Sequence, residues 1–369
     1  MKSFLSPLRL AAAVLLIGAC TGGTGPTASI ETSTTTPGTN TTVPATTTPS
    51  GTTAAATSTS AGSETGTTAP AVTEIAEYPV PSGSHPHDVA PAPDGTVWYT
   101  GQQNGTLGRL DPATGDIDEV PLGSGSAPHG VIMGPDGAPW VTDQGLNAIV
   151  RVDPATSEVE VFPASVGQVG MHTAAFDRDG VLWFTGQAGF FGQFDPSTGI
   201  MEVYPAPGGG GPYGITVTPA NEVFYASLAR SHIARVDRSA GTAEVIEPPT
   251  PGQGARRVWS DSQGTVWVAE WNSGQVSAFD PAAGTWREWR LPGDSPQAYA
   301  VYVDETDRVW LTDFAGGGAI VRFDPPTETF QSFPLPTSGG AVRQLLGLPG
   351  QVWGAESAVD ALIVIRYGS

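Results

Sequence analysis

From residue 74 onward, short apolar runs alternate with breaks rich in Gly, Pro and Asp. One stretch shows the unit. "PHGVIM" is followed by the break "GPDGA", then by "PWVTD", "NAIVRVD", the break "DPATS" and "EVEVFP". Runs of five or six residues with β-branched and aromatic side chains read as strands, and Asp-Gly between two of them reads as a hairpin turn. No stretch keeps a helical 3.6-residue period. Each unit therefore predicts four antiparallel strands.

The unit recurs at a fixed period. Its clearest marks are Trp98, Trp140, Trp183, Phe224, Trp267, Trp310 and Trp353, spaced 41 to 43 residues apart. Four strands in such a period predict a propeller blade, and seven marks predict seven blades. The last unit stops after its third strand, "ALIVIRYGS", while the domain opens on an orphan strand, "EIAEYPVPSG", of the fourth-strand type. Residues 74–81 are expected to complete blade seven and close the ring, which leaves no gap between first and last blades. The fold class is an all-β, seven-bladed propeller of four-stranded antiparallel blades over 74–369.

The residues before the propeller follow other rules. Residues 1–19 carry Lys2 and Arg9, then the apolar run Leu10 to Ile17, a secretory signal layout. Small residues precede Cys20, the chain's single cysteine, as in a bacterial lipoprotein, so Cys20 is the expected lipidation site and the chain is expected to be exported to the outer face of the cell membrane. Residues 20–73 are Thr, Ser, Pro, Gly and Ala almost throughout, too polar to bury a core, and predict a disordered tether with a mean span of roughly 40 Å. A lone cysteine excludes disulfides within the chain. Lys2 is the only lysine, which excludes Schiff-base and phosphate-loop lysines from the mature protein. Without Lys2 and Arg9 the chain holds 14 basic and 36 acidic residues, a charge of −22 that repels nucleic acid. The membrane contact expected is the lipid alone, and the partner expected is a small molecule or a cell-surface ligand.

Candidate chemistry follows from register. In a propeller the first strand of each blade lines the channel, and the antiparallel second strand ends beside its start. Eleven residues before each aromatic mark stand His87, His129, His172, Tyr213, Arg256 and Tyr299; a shorter turn puts Arg343 at that place in blade seven. Three residues after the marks stand Gly101, Asp143, Gly186, Ser227, Glu270, Asp313 and Glu356. These positions predict a ring of seven polar or aromatic groups at one channel mouth, with four acids close by: Asp143, Glu270, Asp313 and Glu356. Converging polar groups on a concave face predict a ligand site. Arg256 with Glu270, and Arg343 with Glu356, are expected to form ion pairs within their blades. His85 and His232 fall outside the ring and are assigned structural or solvent roles. Nucleophile-elbow, zinc-protease, Cys-x-x-Cys and Walker motifs are absent from the sequence.

"PHGVIMGPDGAPWVTD" with "NAIVRVD", together with "PHDVAPAPDGTVWYT" and "GPYGITV", resembles the repeat of the streptogramin B lyases, the virginiamycin B lyase family. The resemblance implies a seven-bladed propeller that opens a cyclic depsipeptide by elimination, with a histidine as general base and Mg2+ held by acids at the channel mouth, for which Asp143, Glu270, Asp313 and Glu356 are the candidates. It places the base on the ring position of the last blade, a partner histidine on the blade before, and an acid two residues ahead of the base. Those places hold Arg343, Tyr299 and Ala341. Glu356 matches a family acid, and His87 stands where the family has a tyrosine. An arginine stays protonated and cannot accept a proton. The order His, His, Tyr does occur on blades two to four, as His129, His172 and Tyr213, but without acids at Gly170 and Gly186. Two functions follow: a lyase-like enzyme acting on a cyclic ester, or a binding propeller without catalysis.

Overall fold

The structure, a computed structural model, describes residues 71–368. The expected signal segment, Cys20 and nearly all of the tether lie outside the described residues. Seven four-stranded antiparallel sheets make up the described part. Blade one holds Pro86–Pro91, Val97–Gly101, Thr106–Leu110 and Ile117–Pro121, and the same order repeats through blade six. In blade seven, Val342–Leu348, Gln351–Glu356 and Ala361–Tyr367 are joined by Val72–Pro79. That closing strand pairs antiparallel with Ala361–Tyr367, for example Ala76 against Val364. The expected ring closure is present, with the strand beginning two residues earlier than the sequence pattern placed it.

Burial explains the alternation. Second strands are buried along nearly their whole length and first strands along half or more of theirs, because neighbouring blades cover both faces. Fourth strands such as Val159–Pro163, Ile200–Pro205 and Thr285–Arg290 hold only half-buried and exposed residues, because they form the rim. The aromatic marks sit between blades, and Trp183, Trp310 and Trp353 are fully buried. Burying an indole N–H requires an acceptor. Turn acids supply it: Trp183 donates to Asp177 (2.9 Å), Trp267 to Asp261 (3.0 Å) and Trp310 to Asp304 (2.8 Å). The mark and its turn are thus one structural unit, which is why they recur together.

One irregularity positions the site. In every blade the pairing of first and second strands shifts at the ring position, for instance between Pro86 and Val89 or between Ala255 and Arg257. A bulge bends the strand and re-aims the side chain at its centre. Seven bulges in register turn seven side chains toward the axis.

Candidate functional site

The seven ring positions come together as one stack across the channel mouth. His87 and His129 lie 3.7 Å apart between ring centroids, His129 and His172 3.9 Å, and His172 and Tyr213 3.8 Å. The Tyr213 and Tyr299 hydroxyls are 2.5 Å apart. The Arg256 guanidinium lies 3.6 Å from the Tyr299 ring centre and donates to the Tyr213 hydroxyl at 3.0 Å. Arg343 donates to the Tyr299 hydroxyl at 3.4 Å and to Ser357 Oγ at 2.8 Å. No ring aromatic is more than 5% exposed, so the side chains themselves plug the mouth.

Below the ring lies a second layer. Asp88, next after His87, accepts from both terminal nitrogens of Arg257 across the channel, at 2.8 and 3.3 Å. Burial works against the Arg257 charge, but the Asp88 carboxylate outweighs it and holds the guanidinium protonated. Breaking one member of such a pair would leave the other charge buried and uncompensated. His87 Nδ1 donates to the same carboxylate at 2.8 Å. Further along, Val131, Ile215, Val258 and Leu345 line a narrow apolar channel of about 30 Å³ that has room for a water or two.

The histidines are neutral. Burial lowers the pKa of His87, His129 and His172 well below the ordinary imidazole range, and the charges of Arg257 and of neighbouring ring residues lower it further. His129 Nδ1 donates to the His172 carbonyl (3.1 Å), and His172 Nδ1 faces the Tyr213 carbonyl (3.2 Å) and Thr173 Oγ1 (2.8 Å). That leaves His172 Nε2 buried without a partner. On the other side of the ring the field is positive. Burial opposes ionisation of Tyr299, but Arg256, Arg257 and Arg343 outweigh it and hold the phenol below its ordinary value.

The four acids do not join this stack. Asp143, Glu270, Asp313 and Glu356 pair across the ladder with Pro128, Ala255, Ala298 and Val342, each the residue just before a ring position. Cross-strand partners share a face and consecutive residues alternate, so the acids point away from the ring. Asp143 accepts from the backbone N–H groups of Ala127 and Leu146, and Asp313 from those of Gln297 and Ala315. Glu270 accepts from Ser273, Gln275 and Ser277. The expected pairs Arg256–Glu270 and Arg343–Glu356 are absent for the same reason. Glu356 is buried with both oxygens unpartnered, and burial together with the nearby Glu77 carboxylate pushes its pKa up to about 8. Of the residues outside the ring, His85 gives its backbone N–H to Asp360, and His232 lies on the third strand of blade four.

The residues fit Mg2+ poorly. Ala341 offers no ligand, the Arg343 cation occupies the last blade's ring position, and Glu356 pairs across the ladder with Val342, so it points away from the ring. Among the described residues one group of three possible ligands lies within 4.8 Å, His87, Asp88 and His129, and its carboxylate already serves Arg257.

Sequence reasoning missed a set of supporting threonines. Thr100, Thr142 and Thr185, two residues after their aromatic marks, each accept from the N–H that follows the ring residue of their own blade. Each then donates to the carbonyl of the next blade's ring residue: His129, His172 and Tyr213. The signal was present in "WYT", "WVT" and "WFT".

Comparison with known proteins places this geometry. A family model described as the virginiamycin B lyase family matches residues 74–364. Selenomethionine-substituted virginiamycin B lyase from Staphylococcus aureus superposes with a TM-score of 0.74 at 18% identity, covering 79% of this chain and 99% of that one. A streptogramin B lyase structure gives 0.73 at 21%, covering 80% and 98%. A catalytically inactive histidine-to-alanine variant of the Staphylococcus aureus enzyme, with quinupristin, gives 0.73 at 18%, covering 79% and 99%. No curated protein matches the chain.

Proposed function

Because this chain belongs to the virginiamycin B lyase family, we propose that it is a binding propeller, one that holds a small-molecule or cell-surface ligand on its channel mouth and does not open streptogramins by the family's route. One observation carries this reading. The ring positions of the last two blades hold Tyr299 and Arg343, locked to each other and to Arg256 by hydroxyl and cation–π contacts. A guanidinium cannot remove a proton from carbon. The related Staphylococcus aureus enzyme becomes catalytically inactive when one histidine is changed to alanine. The expected export and lipidation at Cys20 would display the mouth at the cell surface on a long tether.

A second reading keeps elimination chemistry on blades two to four. Its support is that His129 and His172 are neutral, as a general base must be. Their burial beneath their own neighbours weighs against it. Incubating the purified protein with a streptogramin B and Mg2+, followed by mass spectrometry, separates the two. The binding reading expects the cyclic ester to stay intact. A linear product that disappears with His129→Ala and His172→Ala would establish the second reading instead.

A further inference from the structure

Several arginines elsewhere in the propeller meet carboxylates: Arg151 with Asp136, Arg238 with Asp177, Arg257 with Asp88, Arg366 with Glu74. Arg256 and Arg343 do not. Both are half-buried at the channel mouth, and among the described residues neither has an acidic partner within ion-pair distance. Their polar contacts are neutral hydroxyls, those of Tyr213, Tyr299 and Ser357. Arg256 Nε is a buried donor with no partner at all. Two partly desolvated guanidinium groups converging on one hydroxyl pair, in a chain of net charge −20, form a local cationic site without its counter-charge.

An aromatic shelf holds them there. Trp271, Tyr299 and Phe314 pack together, with centroids 4.7 to 5.7 Å apart. Arg256 lies over Trp271 at 4.6 Å, and Arg343 over Phe314 at 6.0 Å. Stacking fixes each guanidinium plane and leaves its N–H edge for a ligand. Phe314 is also in the wall of a cavity of about 150 Å³ between blades six and seven, lined further by Leu335, Ala341, Val342 and Asp313, whose carboxylate accepts from the Gln297 and Ala315 backbone N–H groups. A mainly apolar cavity of that order takes a single six-membered ring.

We propose that Arg256 and Arg343 form an oxyanion site for a ligand carrying a carboxylate on a ring, the carboxylate on the guanidinium edges and the ring against Phe314 in the adjoining cavity. This deepens the binding reading above and rests on it. Arginine suits a carboxylate because its fork donates two parallel hydrogen bonds. The Tyr299 phenol feels the same positive field, since Arg256, Arg257 and Arg343 outweigh its burial and hold its pKa below the ordinary value. The Arg343 that stands at the family's base position becomes, on this reading, the group that recognises the ligand.

Ligand-observed NMR titration of the purified protein with benzoate and with benzamide tests the site. The two probes share size and ring and differ in charge. Benzoate is expected to bind at least about tenfold more tightly than benzamide, which corresponds to about 1.4 kcal/mol. Arg343→Gln and Arg256→Gln are each expected to weaken benzoate about tenfold or more. Ala341→Glu, which sets a carboxylate two residues from Arg343 without removing any arginine, is expected to do the same, with an unchanged circular dichroism spectrum. Equal affinity for the two probes would keep the mouth as a binding site and overturn the oxyanion assignment. Absence of benzoate binding, or binding unchanged in all three variants, would overturn it too. A protein that binds benzoate yet linearises a streptogramin would keep the oxyanion site and overturn the binding-only reading.

Discussion

Glu356 sits at the end of the second strand of blade seven, fully buried, with neither carboxylate oxygen bonded. Its pKa, pushed from 4.5 to about 8, ties stability to pH. Between those values the unfolded chain releases the proton while the folded chain keeps it. Stability from this group is therefore complete below pH 4.5 and is lost as pH rises through about 8. Glu356→Gln keeps the shape and cannot ionise. The variant is expected to be more stable than the parent by about 1–3 kcal/mol near pH 9, with no gain near pH 4, in urea unfolding at the two pH values. Equal effects at both would show that the carboxyl ionises freely in the fold. At this scale the sequence places each acid by a fixed offset from its aromatic mark. It does not tell which way the side chain points, because that depends on a ladder register known only once the strands have paired.

Blade strands are short, and their ends carry the site. The bulge at each ring position frees one N–H and one carbonyl from the ladder, and a buried unpaired group costs about 1–3 kcal/mol. Thr142 offsets this cost twice, accepting from Gly130 N–H at 3.0 Å and donating to the His172 carbonyl of the next blade at 2.6 Å. Gly130 itself is required, since a Cβ there would lie 2.7 Å from that same carbonyl. Thr142→Val removes the hydroxyl at nearly constant volume. It is expected to cost about 1–3 kcal/mol in chemical denaturation and to broaden the NMR signals of His129 and His172. A loss under about 0.5 kcal/mol would mean that the bridge carries no net weight. The hairpins of each blade were legible from Asp-Gly turns and alternation. The bulges were not, because one extra residue between paired strands leaves no mark in a period of 41 to 43.

At the scale of the whole molecule, ring closure decides integrity. Val72–Pro79 covers the open edge of Ala361–Tyr367, a strand whose interior is fully buried. A chain begun after Pro79 would expose that edge and its apolar neighbours to other molecules. Such a chain is expected to melt at a lower temperature and to self-associate, both visible by calorimetry and light scattering. An unchanged melting temperature with a monomeric chain would show that blade seven stands on three strands. The sequence by itself determined the blade count, the strand order, the closing strand and the seven ring positions, because periodicity and turn chemistry are local and repeat along the chain. Only the tertiary structure decided what those positions do together. Histidines some 42 residues apart became one neutral stack, four acids turned away from the ring, and Arg256 and Arg343 were left facing the mouth without a carboxylate. Direction, burial and pairing of charge arise from contacts between blades, and no single repeat contains them.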